Sequence, residues 1–535
     1  MDKIIGFFLN RGRTRCVPPW IKNFPWLTTQ VLQAHGWTLV LWGHGNLRRF
    51  VADNGRFVQI VAGYSGTELD TLPPLHNRSV EIQLSPATAN IRNDAFGAMQ
   101  VFYSQTVAST NEELVVRSTQ RPELDPAGLT SFLIFQCNVG TSTVWRGINK
   151  LYANSELALH DTGKAIQYPL SSLRLEVLRE ETTNDFVEKM RRALVATIRR
   201  ATDSLDDICL PLSQGYDSRL LARLIRNPAR IHAKTYALSQ ADDLDCDVAI
   251  ARLIAADRGI KDHRVVSFEG DYSRFVPPAL EHLGTTVSAA QAYLYGAAYL
   301  LNDDRLPLIS GVVGDILSSH GATFARQWIE TDIGPAERFK RACHCHAHEW
   351  KAVHLDSWLT FNWRKAIKPL EEQWASLWEA SETAEYELGK ATLIRLRNRG
   401  SAYLTGPWAL ADLWGGIVTP YYDRDYVKFM LSMPPKMLYQ RIAQQRLLEW
   451  TWPSTWPHGN HPNPRSLCWK GTVVPDTITG NEHAFWPLKD GLQHRFFNKS
   501  VQALYDTAIT GNTISWGLLA SLQPIAWALQ KGYGK

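Results

Sequence analysis

From about residue 180 the chain alternates strand-like apolar runs with helical ones, and this alternation constrains the fold most strongly. Phe186, Met190, Leu194 and Ile198 recur every four residues between charged positions. That spacing predicts an amphipathic helix, with Thr183, Asn184 or Asp185 available as its N-cap. Ile208–Leu212 reads as a strand, Ser218–Arg226 as a helix carrying Leu220, Leu221, Leu224 and Ile225, and Ile231–Leu238 as a second strand. A helix over Cys246–Gly259 and strands over Val265–Phe268 and Leu306–Gly311 follow. Strands separated by helices form a parallel sheet with right-handed crossovers, so this part of the chain is α/β.

The texture before it is different. Thr38–Trp42, Phe57–Val61, Val80–Leu84 and Glu113–Val116 read as short strands broken by Gly- and Asn-rich pieces, which predicts a sheet-rich N-terminal domain. Beyond residue 325 the pattern is mainly helical and rich in Trp: 15 of the 20 tryptophans lie from Trp328 onward, and most of them are expected in helix-packing core. The chain of 535 residues shows no internal repeat and no low-complexity segment. Its net charge of +5 is spread along the sequence without a run of like charges, so nothing points to nucleic acid. Seven scattered cysteines argue against a disulfide framework. The first residues lack the apolar length of a signal peptide, and no stretch is long enough to span a bilayer. These features predict a cytoplasmic protein with no membrane partner.

Chemistry concentrates where the first parallel strand ends, at Leu210-Pro211-Leu212-Ser213-Gln214-Gly215-Tyr216-Asp217-Ser218. A strand running into a short Ser/Gly loop that opens a helix can turn backbone N–H groups and two hydroxyls toward an anion. Beside a bound polyphosphate, Asp217 is placed as a Mg2+ ligand, since Mg2+ takes one or two carboxylates together with phosphate oxygens. An ordinary strand-to-helix turn with Asp or Ser as N-cap fits the same spacing.

The loop resembles the pyrophosphate loop of the N-type ATP pyrophosphatases, in particular the synthetase domain of class B asparagine synthetases, usually Ser-Gly-Gly-x-Asp-Ser. Other landmarks fall in that family's order. Ser310-Gly311-Val312-Val313-Gly314-Asp315 is similar to Ser-Gly-x-Gly-x-Asp-Glu, whose Asp supplies a second Mg2+ carboxylate. Thr419-Pro420-Tyr421-Tyr422-Asp423 and Leu431-Ser432-Met433-Pro434-Pro435 resemble the landmark of the helical part. Arg92–Tyr103 and Trp145–Leu151 resemble segments of the glutaminase-like domain. The resemblance implies a degenerate N-terminal nucleophile-type αββα sandwich over residues 1–165. It implies a parallel-sheet ATP pyrophosphatase domain with a helical extension over residues 183–535. It further implies that Leu212, Ser213, Gly215, Tyr216, Asp217, Ser218, Ala237 and Gly311 hold ATP, and that Asp217 and Asp315 hold Mg2+.

The departures from the family are specific. Its glutamine-hydrolysing members use an N-terminal Cys; here position 2 is Asp2, no Cys, Ser or Thr precedes Thr14, and Cys16 reads as a structural thiol. The expectation is a chain without its own glutaminase activity, as in the β-lactam synthetases and lasso peptide cyclases. Gln214 replaces the loop's first glycine and is strained if that position needs positive φ. Val312 (or Val313) replaces the Glu or Tyr of the second motif, and Ile316 the acid after Asp315. The family's Lys near the last helix falls near Ala443–Leu448, where Arg446 is the nearest cation and is taken as catalytic. Lys470 is a second candidate that reads better as a surface charge.

Three further clusters are weighed. His344 and His348 share a helical face, but Cys345 and His346 do not join them, so Cys343–Glu349 reads as polar helix rather than metal site. His458 and His461 lie in a Pro-rich loop, and His263 reads as structural. Asp242, Asp243 and Asp245 either border the substrate or form an acidic helix N-terminus.

Taken together, the expectation is an ATP-dependent ligase that activates a small-molecule or peptide carboxylate as an acyl-adenylate for attack by nitrogen. A homodimer is one expected assembly. Alternatives are a lactam or macrolactam cyclase, a degenerate nucleotide-binding scaffold, and a tRNA-modifying enzyme, the last disfavoured by balanced charge and the lack of Cys-x-x-Cys.

Overall fold

The computed structural model describes residues 2–56, 58–63, 78–170, 182–237, 246–268, 273–302, 304–318, 332–343, 355–381, 387–438, 441–453, 495–498 and 513–533. The N-terminal strands are β1 (Lys3–Arg11), β2 (Leu27–Ala34), β3 (Trp37–His44), β4 (Val51–Asp53), β5 (Val58–Gly63) and β6 (Ser79–Leu84). They continue with β7 (Thr88–Asn93), β8 (Phe102–Tyr103), β9 (Val107–Ser109), β10 (Asn149–Lys150), β11 (Ser155–His160) and β12 (Ala165–Pro169). They form two six-stranded sheets, β10-β8-β9-β1-β3-β2 and β12-β11-β7-β6-β5-β4, with antiparallel pairing throughout.

Period-2 alternation explains how the sheets stack. Phe7, Leu9, Leu39 and Leu41 from one sheet meet Val80, Ile82, Leu84, Ile91, Leu157 and Leu159 from the other in a shared core. Phe8, Val40 and Trp42 turn the opposite way, against helices α1 (Glu112–Ser118) and α2 (Pro126–Phe135). The far face of the second sheet carries Glu81, Gln83, Asn90, Arg92 and Glu156, with an Arg92–Glu156 ion pair.

One expected strand is a helix. Glu113–Val116 lies within α1, where Asn111 caps the start by accepting the Leu114 N–H at 3.1 Å. Leu114, Val115 and Val116 are buried together, and burial on several sides overrides their β propensity.

The second unit is built on a five-stranded parallel sheet. Its strands are β13 (Ile208–Pro211), β14 (Ile231–Ala237), β15 (Asp262–Ser267), β16 (Leu308–Ile309) and β17 (Ile417–Val418), in the order β15-β14-β13-β16-β17. Ile208, Leu210, Leu212, Ile231 and Ala233 face a core made with helices α3 (Thr183–Thr202), α4 (Tyr216–Leu224) and α5 (Cys246–Arg258). Cys209, Leu308 and Ile417 face the other way, into a core shared with α1, α2, α6 (Val276–Leu283) and α7 (Ala292–Leu301). Strands buried on both faces are nearly continuous in apolar residues, as this sequence shows. The N-cap of α3 is Thr182, one residue before the expected candidates, in a capping box with Asp185.

Among the described residues Trp358, Trp363, Trp374, Trp378, Trp408, Trp414, Trp452 and Trp527 are buried in packing, while Trp450 is exposed. Among the described residues Cys16, Cys137, Cys209 and Cys343 form no disulfide, and no helix is long and apolar enough to cross a membrane.

Candidate functional site

The order of the parallel strands fixes where a site forms. From β13 the chain moves outward to β14 and β15, then returns to place β16 on the other side of β13. The loops after β13 and β16 therefore diverge at a topological switch point, where the carboxyl ends of strands leave a crevice. Ser213–Gly215 follows β13, and Ser310–Val313 follows β16.

The first loop is tightly self-bonded. Ser213 Oγ accepts the Gly215 N–H at 3.1 Å and lies 3.0 Å from Ser218 Oγ, which itself accepts the Ser213 N–H at 3.2 Å. The Gln214 N–H donates to Asp247 Oδ1 at 3.0 Å. Gln214 is not among the positive-φ residues, and Gly215 itself has φ −64°, so the glutamine sits in this loop without strain. Gly215 is the N-cap of α4 without a side-chain cap. Asp217, in the first turn, could serve as a cap, but its carboxylate points elsewhere.

Asp217 is where the separate landmarks meet. Its Oδ2 accepts from Arg441 Nη2 at 2.9 Å, its Oδ1 from Gln444 Nε2 at 2.7 Å, and its backbone oxygen from Tyr421 OH at 3.1 Å. Burial pushes its carboxyl up against the pull of Arg441, and the nearby charge of Asp315 pushes the same way. The glycines of the second loop make this proximity possible. A Cβ on Gly311 would lie 3.0 Å from Asp217 Cβ, and one on Gly314 would collide with the Asp217 carboxylate.

Asp315 stands in the short helix α8 (Gly314–Leu317), whose N-cap Val313 has φ +65°. By the motif's spacing Val313 takes the place of the second glycine and Val312 that of the intervening Glu or Tyr. A β-branched residue in the left-handed region is strained, and such strain gathers at functional sites. The third landmark is structural in detail. Asp423 accepts the Asp425 and Tyr426 N–H groups and pairs with Arg200 at 2.7 Å, while Tyr422 packs 5.9 Å from Phe96 of the Arg92–Tyr103 segment. In that segment Asp94 accepts the N–H groups of Phe96, Ala98 and Met99, which closes the turn.

Other expected residues have different surroundings. Leu212 donates its N–H to Lys234 O at 2.9 Å and accepts Thr235 Oγ1 at 2.8 Å; Ala237 O accepts the Phe268 N–H at 3.0 Å. Tyr216 is buried beneath the Arg441 guanidinium, 4.6 Å from its ring centroid. Arg446 is not brought to the site: it is exposed and pairs with Glu449 at 2.8 Å. The cation that reaches Asp217 is Arg441, just before the helix Ile442–Thr451. His263 Nε2 lies 2.9 Å from Thr235 Oγ1, in keeping with a structural role. Asp242, Asp243, Asp245, His344, Cys345, His346, His348, His458, His461 and Lys470 lie outside the described residues.

Arg441, Gln444 and Asp247 were missed by sequence reasoning. A signal for Gln444 existed: with Leu447 and Leu448 it completes an i, i+3, i+4 stripe, and Arg446 falls outside that stripe.

Residues 189–449 match the family described as Asparagine synthase, a span that begins in α3 and ends in the helix carrying Gln444. Over that span the chain is similar to the asparagine synthases. No curated protein matches it. A solved structure described as "NH3-dependent NAD synthetase from Campylobacter jejuni subsp. jejuni NCTC 11168 in complex with the nitrate ion" matches 37% of this chain and 92% of its own. Its identity is 13% and its TM-score 0.20, too low to carry an argument.

Asp217 and Asp315 fit the hard-oxygen preference of Mg2+. Among the described residues no cluster of three or more His, Cys, Asp or Glu could hold a metal, so an ion here would need phosphate oxygens as well.

Proposed function

We propose that the chain is an ATP-dependent, AMP-forming carbon–nitrogen ligase of the asparagine synthase type. It activates a small-molecule or peptide carboxylate as an acyl-adenylate with release of pyrophosphate, and a nitrogen nucleophile then displaces AMP. Residues 183–535 would carry the chemistry and residues 1–165 would serve as scaffold. The observation that carries this reading is the meeting of Asp217 with the Gly311–Asp315 loop at the switch point of the parallel sheet.

The roles of the residues follow from position. Ser213, Gly215 and Ser218 shape a loop whose N–H groups and hydroxyls, now bonded within the protein, would turn to the phosphates of ATP. Asp217 and Asp315 would hold Mg2+, which when bound offsets the charge gathering on the departing pyrophosphate. Tyr421 and Gly314 fix the position of Asp217. Val312 and Ile316 carry no proton, so deprotonation of the nucleophile falls to other groups, including the substrate.

Asp2 and Lys3, at the start of β1, carry no thiol or hydroxyl that could act there as a glutaminase nucleophile. Asp2 accepts the Asn46 N–H at 3.2 Å and pairs with Arg49 at 2.9 Å, and Lys3 is buried against Asp412. The nucleophile is then an amine supplied with the substrate, in a second molecule or in the same one; the second case is lactam closure.

The test is ATP–pyrophosphate exchange with a panel of carboxylates. Asp217→Asn and Asp315→Asn should each lower exchange by about 100-fold or more. Unchanged nucleotide binding in both variants would sink the site assignment, and nucleotide binding without exchange by the wild type would favour the scaffold reading.

A further inference from the structure

Asp217 is closed in the arrangement just described. Arg441 and Gln444 each occupy one of its carboxylate oxygens, at 2.9 and 2.7 Å. The two donors are also joined to each other: Arg441 Nε donates to Gln444 Oε1 at 2.7 Å. Gln444 is fully buried and reaches Gly314 O at 3.3 Å, which anchors the pair to the loop carrying Asp315. Arg441 is held over the Tyr216 ring and has φ +63°, a left-handed conformation that costs energy for a side chain of this size. Across the loop, Asp247 occupies the Gln214 N–H, one of the donors an anion would use.

A guanidinium and a divalent cation compete for the same carboxylate. A cation arriving alone meets an Asp217 whose charge is already matched and whose two oxygens are already bonded. A polyphosphate offers the guanidinium a more highly charged partner with bidentate geometry. It also competes with Asp247 for the loop N–H. Resting on the ATP-dependent reading above, we propose that Arg441 and Gln444 form a latch that keeps divalent cation off Asp217 until a polyphosphate has entered. The polyphosphate draws Arg441 away, Asp217 is released, and the cation then reaches both carboxylates. Arg441 is thus a positioning residue whose first partner is the protein's own metal ligand. Linkage makes the effect reciprocal: whatever factor the polyphosphate adds to cation affinity, the cation adds to polyphosphate affinity.

The test is Mn2+ binding to the full chain, followed by the paramagnetic resonance of free Mn2+, with and without α,β-methylene-ATP, whose α–β bridge resists cleavage, the Mn2+ held by the analogue in protein-free solution being subtracted. Wild type should bind Mn2+ weakly alone and at least about tenfold more tightly with the analogue. Arg441→Gln and Gln444→Met should each raise affinity for Mn2+ alone by about tenfold. Circular dichroism checks that each variant is folded, and the second keeps the test open if the first is not. Unmoved Mn2+ affinity in folded variants overturns the latch, as does a wild type that binds Mn2+ equally well with and without the analogue. If exchange with ATP persists while those affinities stay unmoved, the latch alone falls. If wild type does not bind the analogue, the ATP-dependent reading and the latch fall together.

Discussion

Gln444 and Arg446 stand two positions apart on one helix and face opposite ways. Gln444 is fully buried and bonded to Asp217, whereas the Arg446 side chain is 59% exposed and paired within its own helix. An exposed i, i+3 pair contributes little, so Arg446→Ala should change stability by less than about 0.5 kcal/mol and leave ATP–pyrophosphate exchange intact. A large loss of exchange, measured beside a thermal melt, would return Arg446 to the chemistry. The contrast also marks what the residues could disclose beforehand. Periodicity tells which side chains go inside, but Arg441 meets Asp217 across 224 residues and nothing local encodes that partner. The Ser213–Ser218 loop was legible because strand, loop and helix are contiguous.

Elements were legible in proportion to their length and periodicity. β13, β14, α3, α4 and α5 lie close to their expected places, each a regular run bounded by turn residues. β16 falls inside the strand expected over Leu306–Gly311, shortened to Leu308–Ile309, whereas β17, also two residues long, is too short to show a period and exists because β16 pairs with it. Helix α1 was misread for a related reason, since an apolar run buried all round has no period to read. Its Glu112 gives a pH test. Burial raises this carboxyl from 4.5 to about 7, although Thr285 and Asn138 donate to it. Between those values the unfolded chain has lost the proton and the folded chain still holds it. The unfolded state then binds fewer protons, so stability falls as pH rises through this window, by up to about 3 kcal/mol. Glu112→Gln should flatten the profile between about pH 5 and pH 7. Melting temperatures that track wild type at every pH would contradict this account.

At the scale of the molecule, one core serves both units. Phe8, Val40 and Trp42 of the sandwich pack in the same cluster as Cys209, Leu308 and Ile417 of the parallel sheet. Asp412 joins them electrically: it pairs with Lys3 and with Arg78 at 2.8 Å, and accepts the Ile417 N–H at 3.0 Å. Burial works against its charge, yet Arg78 and Lys3 hold the Asp412 carboxyl down at about 2. Asp412→Ala would strand two buried cations, and should cost about 3–5 kcal/mol, read as a lower melting temperature. A loss near zero would mean that the joint is held by apolar contact alone.

The shared core also decides how the molecule can handle traffic. Interfaces that allow halves to swing are modest and polar, whereas this one is apolar and continuous with the interior. Among the described residues, swinging the halves apart would break that core and the buried Asp412 ion pairs. On the latch proposed above, reactants reach the site over the rim of the parallel sheet, and access turns on side chains that exchange partners instead of on domains that swing.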